Sequence, residues 1–547
     1  MGIPSFYKHL IQTITGLVNK TRTTKPKLFA LDLNCAIYHC VRKVQRRLPY
    51  GPTIQNRWED ELINTVIAYI KQLDARVQPT ERLYIAVDGV APMAKIKQQR
   101  MRRFKSAVAA EEESRIRAEA LGTSYISQPR WDTNAITPGT RFMEKLSIAL
   151  KKFQDSEPLR ILTSSADEAG EGEQKIMAYV RTTNITDAVV YGLDADLIVL
   201  SLWAEATQGI KMDLFREEVE FGGGVKEDAL GEEQFLYLDN THLADALYDT
   251  YGTKAHTSRA DFICDFVGLM NLMGNDFVPH GMTLKIRDNG IERLLEMQNE
   301  LRKHGSFVFQ NRTTGHWTYN IDALRTLYAT LAKDEPANML SGCRKKLESR
   351  IGATSAKDAD VLALARYNDQ PVMWAAEKIL IEQYRDTSFE KPQWRLRTNW
   401  AVQYDRCALL GADPSESAEV YLESLTWTLA YYSGAVVDNE WYYPWPLPPR
   451  AATIAALLES KIGVLPIPNT PRQPLKPLEQ LTMVLPQSSF HLLPSEYSII
   501  PTMYPYAWPD HWDLFSLGRR FLWECEPMVP LILPDQIRRW TAANVKK

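Results

Sequence analysis

Seven carboxylates stand where apolar runs stop in this chain: Asp32, Asp88, Glu171, Glu173, Asp194, Asp196 and Asp276. Asp32 closes Leu28-Phe29-Ala30-Leu31 and Asp88 closes Leu83-Tyr84-Ile85-Ala86-Val87, while Asp194 and Asp196 follow Val189-Val190-Tyr191-Gly192-Leu193. Short β-rich runs like these read as buried strands, and ligands of an α/β sheet gather beyond the carboxyl ends of its strands. Three strand ends would then bring four acids to one edge. Glu171 and Glu173 bracket Gly172 at the start of a helical segment, and Asp276 follows a helix ended by Gly274. Any one of these acids alone reads as a turn former or a helix cap. As a set they read as a divalent-cation site. Oxygen-only donors suit Mg²⁺ or Mn²⁺ and not zinc. Seven acids exceed what one octahedral ion needs, so two ions about 4 Å apart are expected, the arrangement that hydrolyses phosphodiesters.

A second group names the substrate's chemistry. Residues 94–105 carry Lys95, Lys97, Arg100, Arg102, Arg103 and Lys105 and no acid. On a helix Lys95, Gln99, Arg102 and Arg103 share one face, where two guanidinium forks, an ammonium and an amide make a pocket for a phosphate. The segment begins a few residues after Asp88, which puts that pocket beside the acids. An isolated basic helix would be read as a solvated face. Beside seven acids it reads as the seat of a nucleic-acid phosphate.

The bulk properties are those of an ordinary globular chain: 547 residues, 45% hydrophobic, 24% charged, formal net charge −3. With no overall positive field, any nucleic-acid site must be a local patch. The six cysteines form no C-x-x-C pair, which reads as reduced thiols and not zinc ligands. No run approaches the roughly 18 apolar residues of a membrane span, and no secretory leader is evident. The expected setting is intracellular, with the cytoplasm favoured over the nucleus, because the basic string 97–103 is read as the substrate helix.

To position these groups the chain needs a sheet. Residues 1–290 alternate apolar runs with helical patterns, implying an α/β fold with a central, mostly parallel sheet flanked by helices. Expected strands are 27–33, 82–87, 160–162 and 188–193. Expected helices are 59–74, 94–120, 140–153, 172–181 and 259–273, the second long enough, at about 40 Å, to project as a spike. The Gly222-Gly223-Gly224 run reads as a surface loop or hairpin tip. Residues 291–400 read as a helical connecting region without a legible motif. Residues 401–547 carry a helix at 418–432 and then a Pro- and aromatic-rich arm, starting at Trp441-Tyr442-Tyr443-Pro444-Trp445, that packs on the core.

The strings MGIPSF, LDLNCAIYHC, AVDGVAPMAKIKQQRMRRFKSA, ITPGTRFM, GEGEQKIMAYVR, YGLDADLIVLSL and LMGNDFVPH, in this order, resemble the 5′→3′ exoribonuclease (XRN) family. Weaker likeness continues through YLESLTWTLAYYSG, WYYPW and PLKPLEQLTMVLPQSS and near residues 521–526, so both of the family's conserved regions are represented, without its long carboxyl extensions. The resemblance implies a PIN/flap-nuclease-like core and processive 5′→3′ removal of nucleotides from single-stranded RNA bearing a 5′-monophosphate. It implies that the seven acids hold the metal, that Lys95, Gln99, Arg102 and Arg103 form a closed 5′-phosphate pocket, and that the protein acts as a monomer. Where the family has a base-stacking histidine this chain has Tyr38 followed by His39, and Trp427 resembles the family's second stacking ring. Ala169 replaces a proline common in relatives. Two other readings stay open: a flap-endonuclease-like DNA nuclease, and an inactive RNA-binding scaffold.

Overall fold

In the computed structural model the described residues are 6–122, 129–192, 194–219, 225–228, 231–252, 258–352, 357–385 and 392–545; the Gly222–Gly224 run lies outside them. A seven-stranded sheet forms the centre, in the order β1-β7-β6-β5-β2-β3-β4. The strands are β1 Val18–Asn19, β2 Leu28–Asp32, β3 Arg82–Ala86, β4 Ile161–Ser164, β5 Asp187–Tyr191, β6 Lys211–Glu217 and β7 Phe235–Leu238. From β6 through β5, β2 and β3 to β4 all pairings are parallel; β7 and β1 add antiparallel partners at one edge. The four expected strands are present as β2 to β5, and β1, β6 and β7 complete a sheet that the apolar runs alone did not outline. The fold is α/β with a mixed, mostly parallel sheet, as expected.

Period-two alternation divides β2 between two cores. Leu28 and Ala30 face one side, with helices Gly172–Thr182, Asp196–Gln208 and Arg259–Met270; Phe29 and Leu31 face the other, with Leu33–Arg47, Gln55–Val77 and Arg141–Ser156. Both faces are covered, which is why β2 is buried at every residue and reads as a continuous apolar run. The chain order also fixes where ligands can enter. From β2 the chain winds outward to β3 and β4, then returns to β5 on the other side of β2. A crevice opens at such a reversal, beyond the carboxyl ends of β2, β3 and β5.

The basic segment is one unbroken helix, Met93–Leu121, 29 residues or about 43 Å long. It does not stand alone. Val90, Met93, Ile96 and Phe104 share a core with Leu481, Val484, Trp508 and Trp540 of the carboxyl-terminal arm. The buried Arg100 guanidinium donates to the carbonyls of Pro530 (2.9 Å), Met483 and Ala507. Further out, Arg117 pairs with Asp360 at 2.6 Å, so helix Ala359–Asn368 braces the distal half. That gives part of residues 291–400 a structural task which no motif announced.

Helix Pro414–Ser433 runs through the core that lies on the Leu28 face of the sheet. Asp413 caps it, accepting from the backbone N–H groups of Ser415 (2.8 Å) and Glu416 (3.0 Å), with Pro414 in the first turn where its missing N–H costs nothing. Gly434 ends it in the left-handed region at φ +80°.

Candidate active site

Asp32 is the final residue of β2, and Asp88 lies two residues past β3. The turn after β3 is laced to the turn before helix Gly172–Thr182: Gly89 N donates to Gly170 O (2.9 Å), and Gly170 N donates to Val90 O (2.8 Å). A Cβ on Gly89 would fall 1.7 Å from Glu168 O, so only glycine permits this approach. The lacing carries Glu171 and Glu173 to the strand ends. Asp88 Oδ1 then accepts from Gly172 N (2.7 Å) at the helix N-terminus, and Asp88 Oδ2 accepts from Asn34 Nδ2 (2.8 Å). Asn34 Oδ1 in turn accepts from Asp88 N at 3.2 Å.

The long helix enters the same space. Lys95 Nζ lies 2.6 Å from Glu171 Oε1 and 2.8 Å from Asp276 Oδ2, and Gln98 Nε2 donates to Asp276 Oδ1 at 3.2 Å. A single cavity of about 230 Å³ is lined by Asp32, Asp88, Glu171, Glu173, Asp194 and Asp276 together with Lys95, Gln99, Arg102 and Arg103. Asp196 sits just outside the lining, almost fully buried, and its charge bears on Glu173 and Asp276. Six of the seven acids and all four members of the basic stripe thus line one cavity, with Asp196 beside it. Arg102, Arg103 and Tyr38 also line a groove of about 810 Å³ that continues along the long helix. The pocket expected to be closed is therefore bounded on that side by side chains shared with a groove.

Burial and crowding set the charge states. Desolvation, then the neighbouring Asp88 and Asp194, push Asp32 well above the usual carboxylate range. Desolvation and Asp196 do the same to Glu173, and desolvation and Asp194 to Asp196. Asp276 goes the other way: against its burial, the Lys95 ammonium holds it below the usual range. Lys95 itself is raised well above an ordinary lysine, because Asp276 and Glu171 outweigh its desolvation. Burial lowers the Arg103 guanidinium to about 10.

Among the described residues no three acids are drawn together tightly enough to make a finished coordination shell. The donor set nonetheless fits a hard divalent cation. Every donor is a carboxylate oxygen, and Asp32 Oδ1, Glu173 Oε1 and Asp196 Oδ1 are buried without a hydrogen-bond partner. Buried oxygens are rarely left unspent unless an ion or ordered water belongs beside them.

Two of the three stacking rings need correction. Tyr38 is half-buried and lines the cavity beside Arg102 and Arg103, where a ring can meet a base. His39 points elsewhere: it is buried, with Nε2 2.8 Å from Glu233 Oε1 and its ring 4.9 Å from that of Tyr69. Trp427 is fully buried, one face stacked on Tyr431 (5.0 Å) and the other ring contact made by Trp441 (5.3 Å), while Nε1 donates to Asp438 O (2.9 Å). No face of Trp427 is open to a base.

Residue types and spacing missed several contributors. Asn34, two residues after Asp32, holds Asp88, and Gln98, next to the stripe residue Gln99, holds Asp276. Gln480, fully buried, accepts from Ala91 N (2.9 Å) and donates to Gln99 Oε1 (3.4 Å). Tyr431 donates to Glu171 Oε2 at 2.9 Å. The last two come from beyond residue 400, and nothing in spacing could have tied them to the strand ends. A roomier cavity of about 290 Å³ lies away from the acids, among Lys285, Arg287, Lys345, Lys346 and Arg520. Four of those cations are already spent internally, on Glu524 (Arg287), Asp288 (Lys345), Glu377 (Lys346) and Asp369 (Arg520).

Comparison with known proteins gives this site its lineage. Residues 1–218 match the XRN 5′-3′ exonuclease N-terminus, and residues 258–395 and 412–538 match the Xrn1 helical domain. The chain belongs to the XRN family of 5′→3′ exonucleases, which are hydrolases. It is 27% identical to 5′-3′ exoribonuclease 2 of Arabidopsis thaliana, over 100% of this chain and 67% of that one. It is 28% identical to 5′-3′ exoribonuclease 1 of Homo sapiens, over 97% of this chain and 33% of the relative, and 26% identical to 5′-3′ exoribonuclease 1 of Schizosaccharomyces pombe, over 97% and 48%. The chain thus spans between a third and two thirds of the length of these curated relatives. No helix among the described residues is long and apolar enough to cross a membrane.

Proposed function

We propose that this chain is a processive 5′→3′ exoribonuclease that hydrolyses single-stranded, 5′-monophosphorylated RNA to nucleoside 5′-monophosphates and works as a monomer. Residues 1–290 and 401–547 would act together as one nuclease, with 291–400 between them as the helical connection. The observation that carries the reading is the single cavity in which the acids meet Lys95, Gln99, Arg102 and Arg103.

Lys95, Gln99, Arg102 and Arg103 would hold the terminal 5′-phosphate by charge-assisted and amide hydrogen bonds, fixing the first nucleotide relative to the acids. Tyr38 would stack on a base, a contact worth about 1–3 kcal/mol and tolerant of sequence. Asp32, Asp88, Glu171, Glu173, Asp194, Asp196 and Asp276 would hold two Mg²⁺ ions, for which Mn²⁺ can substitute. Bound there, the ions would supply an activated water and stabilise charge on the phosphorus and the leaving oxygen. Water attacks the phosphodiester between the first and second nucleotides, and the bond from phosphorus to the first 3′-oxygen breaks. The first nucleotide leaves with its own 5′-phosphate and a new 3′-hydroxyl. The phosphate stays on the second nucleotide, so every cut regenerates the end that the pocket recognises.

The test is a Mg²⁺ time course on one 3′-labelled RNA carrying a 5′-monophosphate, hydroxyl or triphosphate, with a matched DNA. Rapid loss of the monophosphate RNA alone, with mononucleotides accumulating and EDTA blocking it, is expected. The D194A/D196A variant should bind RNA and leave it intact. Equal cutting of all ends would refute the pocket, preference for DNA would favour a flap-type nuclease, and binding without cutting would favour a scaffold.

A further inference from the structure

Helix Pro414–Ser433 delivers two adjacent phenols to the acids Glu171, Glu173, Asp196 and Asp276, far from them in sequence. The hydroxyl of Tyr431 donates to Glu171 Oε2 at 2.9 Å, while Glu171 Oε1 faces Lys95 Nζ at 2.6 Å. The ring that carries this hydroxyl is fixed by two ring contacts, one of them backed by a third ring. Tyr431 stacks on Trp427 at 5.0 Å and 17°, Trp427 stacks on Trp441 at 5.3 Å and 25°, and Phe277 meets Tyr431 edge-on at 5.3 Å and 85°. Phe277 is the residue after Asp276, so the same stack touches the segments bearing two of the acids. Trp427 is tied in turn to the backbone through Asp438 O.

Tyr432, the next residue, is 2% exposed, and its hydroxyl has no partner. Its charged neighbours are the carboxylates Asp196, Glu173 and Asp276 and the ammonium of Lys95. Two of those carboxylates also have a buried, partnerless oxygen, Asp196 Oδ1 and Glu173 Oε1. A buried donor beside buried acceptors, none of them satisfied, marks a space that is completed by an ion with its waters.

We propose that Tyr431 and Tyr432 are positioning residues of the cation site, Tyr431 fixing Glu171 in the orientation that presents it to the ion and Tyr432 supplying a donor to the Glu173–Asp196 side. The inference rests on reading the acids as divalent-cation ligands. Outer hydrogen bonds of this kind orient ligand carboxylates, and losing one typically weakens metal binding about 10–100-fold.

Tyr431→Phe and Tyr432→Phe keep the rings and the stack and remove only the hydroxyls. Mn²⁺ binding is measured by electron paramagnetic resonance on the whole chain without RNA, beside the Mg²⁺ dependence of RNA degradation. In Y431F the Mn²⁺ dissociation constant should rise about 10–100-fold and the half-saturating Mg²⁺ concentration should rise with it. KM for RNA should stay at the wild-type value, and kcat should return at saturating Mg²⁺. Y432F should show the same pattern at about tenfold. Melting temperatures close to wild type would show that the stack persists. Unchanged Mn²⁺ affinity in both variants, with a wild type that binds Mn²⁺ and degrades RNA, overturns the inference alone. A wild type that binds no Mn²⁺ overturns it together with the assignment of the acids.

Discussion

Replacing Gly172 by alanine separates catalytic geometry from folding. A Cβ at this position would lie 2.7 Å from Asp32 Oδ1 and 3.4 Å from Ala86 O. Ordinary contact begins near 3.4 Å, so the backbone oxygen can stay while the Asp32 carboxylate must retreat by 0.7 Å, the difference between 3.4 and 2.7. Oδ1 has no hydrogen-bond partner to lose and sits at the free end of a side chain, so the move puts at risk only the hydrogen bond that the carboxylate accepts from the Asn34 backbone. Alanine also suits the first position of helix Gly172–Thr182, where it recovers part of the ~0.5–1 kcal/mol that glycine forfeits in a helix. Stability should therefore hardly change. Catalysis should suffer, since misplacing a reacting group by about 1 Å costs about 100-fold, which is roughly 2.7 kcal/mol of barrier. The assay is single-turnover degradation of 3′-labelled 5′-monophosphate RNA at saturating Mg²⁺, beside a thermal melt. A rate within threefold of wild type would show that the Asp32 carboxylate does not need its observed place. A melt more than ten degrees lower would show that the carboxylate was not free to move.

Other perturbations probe separate parts of the molecule. Asn34→Ala removes the amide that grips Asp88 from two directions and should slow RNA degradation about 10–100-fold, read from the Mg²⁺ dependence of the rate; an unchanged dependence would exclude the positioning role. Arg100→Met strips a buried cation from three carbonyls at a cost of roughly 1–3 kcal/mol each, so the melting temperature should fall and limited proteolysis should release carboxyl-terminal fragments sooner; equal proteolysis would contradict the anchor. His280 accepts from Arg519 Nη1 through Nε2 (2.5 Å), and desolvation, then Arg519, Lys285 and Arg287, hold it well below the ordinary 6.5. The unfolded chain therefore takes up this proton first, and stability is full above about pH 6.5 and falls as the pH drops toward the folded value. Denaturant melts of wild type and His280→Asn across pH 5–8 should show that slope reduced in the variant, and identical slopes would refute the neutral imidazole.

The strand-end acids were legible because a carboxylate after an apolar β run is a pattern of period and punctuation, and Asp32 and Asp88 fell where that pattern put them. The stripe Lys95, Gln99, Arg102 and Arg103 was legible because helical spacing is regular over the length of Met93–Leu121. Strands β1, β6 and β7 were not, since β1 has two residues and β6 mixes Lys211, Asp213, Arg216 and Glu217 into its run. His39 and Trp427 were misplaced for one reason: ring type does not say which way a ring faces. His39 follows Tyr38 on the same helix, about 100° round from it, so only one of the pair can line the cavity. Trp427 lies in a helix buried nearly all round, where Tyr431, Trp441 and Phe277 cover it.

The site is not a property of the sheet alone. Of the two oxygens of Glu171, one faces Lys95 of the long helix and the other is held by Tyr431 of helix Pro414–Ser433. Of the basic stripe, Gln99 is met by Gln480 of helix Pro477–Val484, whose other bond fixes the Ala91 amide just ahead of the long helix. The long helix itself is seated by Arg100 on carbonyls of residues 483, 507 and 530. Apart from the Lys95–Glu171 pair, each of these contacts joins residues at least 260 positions apart, and each reaches a residue in or next to the acids and the basic stripe. A core that mixes Leu28, Ala188 and Leu197 with Leu425, Trp427 and Leu429 makes the same junction apolar and continuous. The acids gather around the strand ends, but Glu171 among them and Gln99 of the basic stripe are held by residues from beyond position 400, so both matched regions of the family contribute to the surroundings of one cavity.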